Sequence, residues 1–333
     1  MKDNKASAEE TMRAFNNEEN ALPTKTTYFP EKIGKKMEDN APSFETQILV
    51  FNENCVNRVF TEVYAGHKTG IMNFASPIFP GGGFLNGASA QEEAICRGSY
   101  LYPEIIAQKA YYENNRAIDY TKHTAGLIYS ENVKFIKAEI KDIEEFVEPV
   151  FADVVTVAAP QVIIGQQNEQ IDTELTEKII QTLRQFKEHN VESIVLGAFG
   201  CGVFGNNPHH VASLFDMLLQ SEEFDHAFKR VIFSTFKNNI QPFLAMANTI
   251  EKLDKTFLES KRISSPVSMF NNGDDYKEMA DLYGMDGFYV SFEEIEYLYP
   301  ELEIETIYNL LEYMYQNTDV ILSKCYEEMI AEQ

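Results

Sequence analysis

The sequence predicts an α/β fold with a mixed, largely parallel central sheet flanked by helices. Three observations carry that prediction. Short apolar runs alternate with longer segments of helical periodicity between residues 45 and 236. Two of the runs, ADVVTVAAP (152–160) and ESIVLGAF (192–199), read as strands buried on both faces. Two glycine-rich stretches each follow a predicted strand and precede a predicted helix.

The elements follow in order. Residues 7–17 (SAEETMRAFNN) read as a helix begun by Ser7, with Glu10 three residues on as a capping box. Residues 18–43 are polar with scattered prolines and read as an irregular arm. ETQILVF (45–51) is a strand and 54–64 a helix. TGIMNFA (69–75) is a strand that runs into the first glycine loop. Residues 90–115 have helical spacing, with a break or kink expected at Pro103. GLIYS (126–130) and VKFIKAEI (133–140) read as two short strands. Residues 171–190 form an amphipathic helix with Leu175, Ile179, Leu183 and Phe186 on one face. A helix over 208–221 and a strand over 229–236 complete the pattern.

Three regions are expected: a helical arm over 1–45, a core domain over 46–250, and an acidic helical extension over 251–333. The extension carries 19 acidic and 6 basic side chains in a chain of net charge −24. Helical periodicity runs through 292–331, and SMFNNGDDYKEM (268–279) reads as a linker. Such a surface suits a basic protein partner, or it is the solvated face of a docked helical lid.

Composition excludes several classes. The negative charge argues against indiscriminate binding to duplex nucleic acid or to an anionic membrane. No apolar run approaches the roughly 18 residues of a membrane span, and MKDNKASAEETMRAF lacks the apolar core of a signal peptide. A cytoplasmic protein is the expectation. Cys55, Cys96, Cys201 and Cys325 form no CxxC pair, and the histidines do not stand at zinc-ligand spacing with them. Neither a metal nor a cofactor is indicated.

The glycine loops are NFASPIFPGGGF (73–84) and GAFGCGVFGNNP (197–208). Backbone amides beside a helix start can hold a phosphate without cationic side chains. An acidic protein can therefore still bind an anionic ligand. The first loop lacks GxGxxG spacing, and neither ends in the GK[ST] of a P-loop. Either loop alone is also compatible with a tight turn beneath a packed helix.

Glu92 and Glu93 follow the first loop. Adjacent helical residues point about 100° apart. They do not suit the facing pair of an ordinary retaining glycosidase, which needs carboxyls about 5 Å apart across the substrate. A division of labour fits better, one orienting hydroxyls and the other moving protons. Both also fit as plain first-turn glutamates favoured by the helix dipole.

The ordered string of strand, NFA, PGGG, seven residues, QEE and helix resembles the signature of the bacterial-type poly(ADP-ribose) glycohydrolases, which have a macrodomain-like core. GAFGCGVFGNNP resembles that family's phosphate-binding loop, and the order and spacing of the two match. The resemblance covers roughly residues 1–250. It implies ADP-ribose or poly(ADP-ribose) as substrate, with neither cofactor nor metal. It implies that Gly81, Gly82 and Gly83 approach the ribose and diphosphate. Gly200, Cys201, Gly202, Val203 and Phe204 would wrap the diphosphate, Phe204 near the distal ribose. Asn73 would sit beside that ribose, and Gln91 joins the substrate-binding set. Glu92 would hold ribose hydroxyls and Glu93 would be the acid/base. A first-turn carboxylate has a lowered pKa, which is wrong for an acid, so substrate and water exclusion must raise it.

Relatives in activity remain open: a hydrolase of single ADP-ribose units, or a non-catalytic ADP-ribose reader. A Cys–His hydrolase built on Cys201 with His209 or His210 is a weaker alternative to a small residue in a tight loop. Asp153 and Asp172 flank a strand and a helix start, the second as a cap. The acidic–aromatic run at 292–303 needs no site to explain it.

Overall fold

The computed structural model describes residues 4–18, 22–35, 43–117, 126–162, 169–236, 239–254 and 256–265. The expected linker at 268–279 and the helices at 292–331 lie outside the described residues, as does Cys325. One compact unit spans Met1–Ser264.

Its elements are α1 (Asn4–Asn16), β1 (Lys25–Phe29), β2 (Gln47–Phe51), α2 (Cys55–Tyr64), β3 (Thr69–Phe74), α3 (Gln91–Gly98), α4 (Leu101–Ile106), α5 (Lys109–Arg116), β4 (Leu127–Ile140), β5 (Ile143–Val157), α6 (Glu169–Glu188), β6 (Ser193–Leu196), α7 (Pro208–Leu219), β7 (Arg230–Ser234) and α8 (Ile240–Leu244). The described strands form one sheet in the order β1-β4-β5-β3-β6-β7-β2. From β5 to β2 every pairing is parallel. The β1–β4 and β4–β5 pairings are antiparallel.

Strand alternation divides the core into two layers. Ile71, Ile128, Val154 and Val195 pack against α1 to α5. Their neighbours Met72, Leu127, Val155 and Ile194 pack against α6 and α7. On α6 the expected face of Leu175, Ile179, Leu183 and Phe186 is fully buried. Each such side chain contributes roughly 1.5–3 kcal/mol.

Several elements differ from the sequence expectation. Residues 25–29, expected in an irregular arm, form strand β1 along β4. The expected strands at 126–130 and 133–140 are one strand, β4, with a bulge at Asn132 (φ 55°). A two-residue turn with Lys141 and Asp142 both left-handed then returns the chain as β5. That strand therefore begins nine residues earlier than the apolar run suggested. Helix α1 starts at Asn4, and the expected capping box does not form. Ser7 Oγ donates to Glu144 Oε2 at 2.5 Å, and Glu10 pairs with Lys137 at 2.6 Å. Tertiary partners have captured both box residues.

The expected helix over 90–115 is three helices. The first break falls at Ser99–Tyr100, where Tyr100 N donates to Lys134 O of β4 and leaves the helix. Pro103 is the third residue of α4, within the first turn, where its missing N–H breaks no helical bond.

At the sheet's end, Asn248 covers the outer edge of β2. Its amide N–H donates to Ile48 O at 3.1 Å, and its Oδ1 accepts from Ile48 N at 2.7 Å. Because β5, β3, β6 and β7 run parallel, the loops after them gather at one edge of the sheet, where α/β folds bind ligands.

Candidate active site

The site begins where β3 ends. Gln91, the first residue of α3, lays its amide along the strand: Nε2 donates to Met72 O at 2.7 Å, and Oε1 accepts from Phe74 N at 2.8 Å. Expected in the substrate-binding set, it uses both ends of its amide to fasten α3 to β3. That clamp sets the height of the next two residues.

Glu92 and Glu93 are both buried. Glu92 Oε2 accepts from Ser76 N at 2.6 Å, and Oε1 lies 3.4 Å from Asn73 Nδ2. Asn73, expected beside a ribose, is fully buried beneath Glu92 and also donates to Thr156 Oγ1 at 3.2 Å. It supports the carboxyl from below. Glu93 Oε1 accepts from Gly83 N at 2.9 Å, while Oε2 has no partner among the described residues.

Burial pushes the Glu92 carboxyl up to about 8, and the neighbouring charge of Glu93 adds to the rise. The Ser76 amide and Asn73 pull it part of the way back. At Glu92 desolvation outweighs these hydrogen bonds.

Gly82 explains why the first loop needs glycine. Its φ is +58°, and a Cβ there would stand 2.4 Å from Glu93 Oε1 and 3.2 Å from Glu92 Oε2. The close approach is to the protein's own carboxyls. Gly81 and Gly83 would meet the Tyr102 ring and Ala88 instead.

The second loop is stitched by Asn206, whose Nδ2 donates to Pro160 O at 2.9 Å and Gly200 O at 3.2 Å. Gly200 is left-handed, and a Cβ there would strike Asn206 and Ala159. Among the described residues, the amides of Gly202 and Val203 meet no protein acceptor. Val203 is 89% exposed. Cys201 turns inward, its Sγ 3.6 Å from Phe199 O, and burial pushes its thiol up to about 12. A thiol so held is a poor nucleophile at neutral pH, and His210 is paired with Asp172 at 3.0 Å.

Both loops face one cavity of about 1140 Å³. Its wall includes Gly82, Gln91, Glu92, Glu93, Gly200, Gly202, Val203 and Phe204. Asn73, Gly81, Gly83 and Cys201 are not part of that wall. The sequence reading missed Asn115 and Arg116 at the end of α5, and Phe236 just beyond β7, which also line it. No local motif marks these three; topology alone brings them to the edge where the loops gather. Arg116 donates to Ile78 O and so ties α5 to the first loop. Phe79 and Phe236 are 60% and 54% exposed at the wall.

Known proteins share this fold. Residues 3–138 match the family model of the microbial-type PARG catalytic domain. The crystal structure of poly(ADP-ribose) glycohydrolase from Thermomonospora curvata is 29% identical with a TM-score of 0.64, covering 73% of this chain and 98% of that one. The same protein bound to the inhibitor ADP-HPD is 26% identical, with a TM-score of 0.62 and coverage of 73% and 98%. The Deinococcus radiodurans poly(ADP-ribose) glycohydrolase in complex with ADP-ribose is 34% identical with a TM-score of 0.55, covering 61% of this chain and 83% of that one. No curated protein matches the chain. The shared mixed α/β architecture, the family-model match and the 34% identity over most of the Deinococcus chain establish that this chain belongs to the bacterial poly(ADP-ribose) glycohydrolase family.

Proposed function

We propose that this chain cleaves the ribose–ribose O-glycosidic bond of poly(ADP-ribose) and releases ADP-ribose, with Glu93 as acid and base. One observation carries the assignment. Glu93 is held by one oxygen on the Gly83 amide, its second oxygen has no partner among the described residues, and it shares a cavity with the second glycine loop.

The free amides of Gly202 and Val203 suit a diphosphate, and the exposed ring of Phe236 offers a face for a base. Glu92, beside the acid, orients ribose hydroxyls. Burial raises the Glu92 carboxyl to about 8, so Glu92 itself is protonated near neutral pH. As the glycosidic C–O bond breaks, its electron pair stays on the leaving ribose oxygen, which takes the proton from Glu93. The ribosyl carbon becomes oxocarbenium-like, and the diphosphate offsets that positive charge. Water then adds its oxygen to this carbon and gives a proton to the Glu93 carboxylate. No metal is needed for either step. The three described cysteines are unpaired, and no described helix is long and apolar enough to cross a membrane. Free thiols suit a reducing compartment, and the cytoplasm is the location we propose.

The test is ADP-ribose release from labelled poly(ADP-ribose) by wild type and Glu93→Gln. We expect release by wild type and its loss in the variant with ADP-ribose binding retained. Binding without release by wild type would leave only a reader, or a hydrolase of single units. A second reading exchanges the two glutamates, since Glu92 is the carboxyl raised to about 8. It requires Glu92→Gln to abolish kcat. The lead reading requires that variant mainly to raise KM.

A further inference from the structure

Asn115 lies at the end of α5, outside both glycine loops and the QEE helix. It is buried, with a relative exposure of 2%. Among the described residues neither Nδ2 nor Oδ1 meets a partner at hydrogen-bond geometry, and the one group close enough to interact with the amide is the Tyr111 hydroxyl. That hydroxyl accepts from Ala158 N at 3.0 Å. Leaving a buried amide unsatisfied costs on the order of 1–3 kcal/mol per group. A guest in an adjoining cavity would offset that cost. Asn115 also lines the substrate cavity.

The chemistry of the vacancies narrows the guest. An amide offers one acceptor and a donor pair. A phosphate oxygen only accepts, so it would leave Oδ1 orphaned. A sugar hydroxyl accepts from Nδ2 and donates to Oδ1. A base edge also does both, but position argues against it. Asn115 belongs to the β5 side of the cleft, through Tyr111 and Ala158. Phe236 follows β7, three strand spacings away in the sheet, or about 14 Å at roughly 4.8 Å per strand. The charge of Glu92 reaches both Tyr111 and Tyr112 on the same helix. Asn115 therefore stands at the carboxylate end of the cavity, where the reaction takes place. Arg116 next to it is anchored on Ile78 O, so α5 is held against the first loop.

We propose that Asn115 is a substrate-positioning residue that reads a hydroxyl of the ribose held at the carboxylate end of the cavity. This rests on the glycohydrolase reading above. The amide completes its hydrogen bonds only when that sugar is bound, after a side-chain rotation within the wall.

The test compares ADP-ribose with ADP, which lacks the second ribose. Titration calorimetry on the full chain would measure both ligands with wild type, Asn115→Ala and Asn115→Leu. We expect each variant to bind ADP-ribose about tenfold more weakly and ADP with unchanged affinity. KM for polymer should rise in parallel. Asn115→Leu, which removes the unsatisfied amide and keeps the volume, should hold or raise the Tm of the free protein. A purely structural asparagine would instead give a lower Tm with both ligands affected alike. Unchanged ADP-ribose affinity, or equal losses for ADP and ADP-ribose, would overturn the inference and leave the glycohydrolase reading standing. Wild type that binds ADP-ribose no better than ADP would overturn it too. Absence of product release with the ADP-ribose preference intact would sink the glycohydrolase reading alone.

Discussion

Gly82 and Glu93 occupy adjoining space so closely that one methyl group added to Gly82 would stand 2.4 Å from Glu93 Oε1. The same methyl would reach Glu92 Oε2 at 3.2 Å. The glycine loop is thus shaped around the carboxyl pair before any substrate arrives.

Gly82→Ala should therefore disable the enzyme. The φ of +58° adds about 1–2 kcal/mol of backbone strain for any L side chain, and the clash displaces Glu93 from the Gly83 amide. Turnover of labelled polymer should fall at least 100-fold. Ala substituted at exposed Gly34, where no atom lies within 4 Å, should leave it unchanged.

Stability should depend on pH through Glu92. Its carboxyl is raised to about 8 in the folded protein from an ordinary 4.5. The folded state therefore holds a proton that the unfolded state has released across that interval. The sign follows: this stabilisation is complete below about 4.5 and is lost as pH rises through about 8. Tm of wild type should fall from pH 5 to pH 9. Glu92→Gln should flatten that slope, which a thermal-shift series on both proteins would measure. Parallel slopes would contradict the assignment.

Gln91→Ala should loosen the catalytic helix. Two hydrogen bonds to Met72 O and Phe74 N are lost, a loss of roughly 2 kcal/mol at about 1 kcal/mol each. Urea unfolding should report that change. Polymer turnover should fall more than stability alone explains, because both glutamates follow directly.

Arg97 provides a contrast between buried and exposed ion pairs. Its guanidinium is buried, sits 3.0 Å from Glu144 and donates to Ala88 O, between the first loop and α3. Arg97→Ala should cost about 3–5 kcal/mol by taking the guanidinium away from the buried Glu144 carboxylate. Arg262 pairs with Glu145 at the surface, with a side-chain exposure of 38%. Arg262→Ala should change stability by less than about 1 kcal/mol. Chemical denaturation of the two variants decides the comparison.

Much of the site was legible because its signals are local. Three consecutive glycines, the QEE triplet and the second glycine loop announce themselves within a few residues of chain. The roles inside them were less legible. Asn73 and Gln91 read as ligand contacts in the string, and the structure adds a hydrogen bond from Asn73 to Glu92 and a clamp from Gln91, itself in the cavity wall, onto β3. Only the pairing of strands reveals that. Asn115, Arg116 and Phe236 carry no motif, since their value comes from β5, β3, β6 and β7 ending at one edge. The rise at Glu92 depends on burial, which adjacency to Glu93 alone does not disclose. Among the elements, β1 was hidden in a five-residue polar strand. The β4–β5 turn was hidden because Lys141–Asp142 is not the usual Asn–Gly pair.

The cover that Asn248 lays over β2 bears on how copies of this protein behave at high concentration. An open strand edge recruits other chains by continuing the ladder. Here Ile48 has already given both its backbone groups to Asn248. A second molecule that docked against β2 would first have to peel that residue away. Asn248→Pro would remove that amide and the side-chain oxygen, leaving Ile48 O with Thr249 N and Ile48 N with no acceptor from residue 248, and so open part of the edge to fibre-like association. The polar side chain at 248 thus acts as a guard against self-recruitment, far from the carboxyls that do the chemistry.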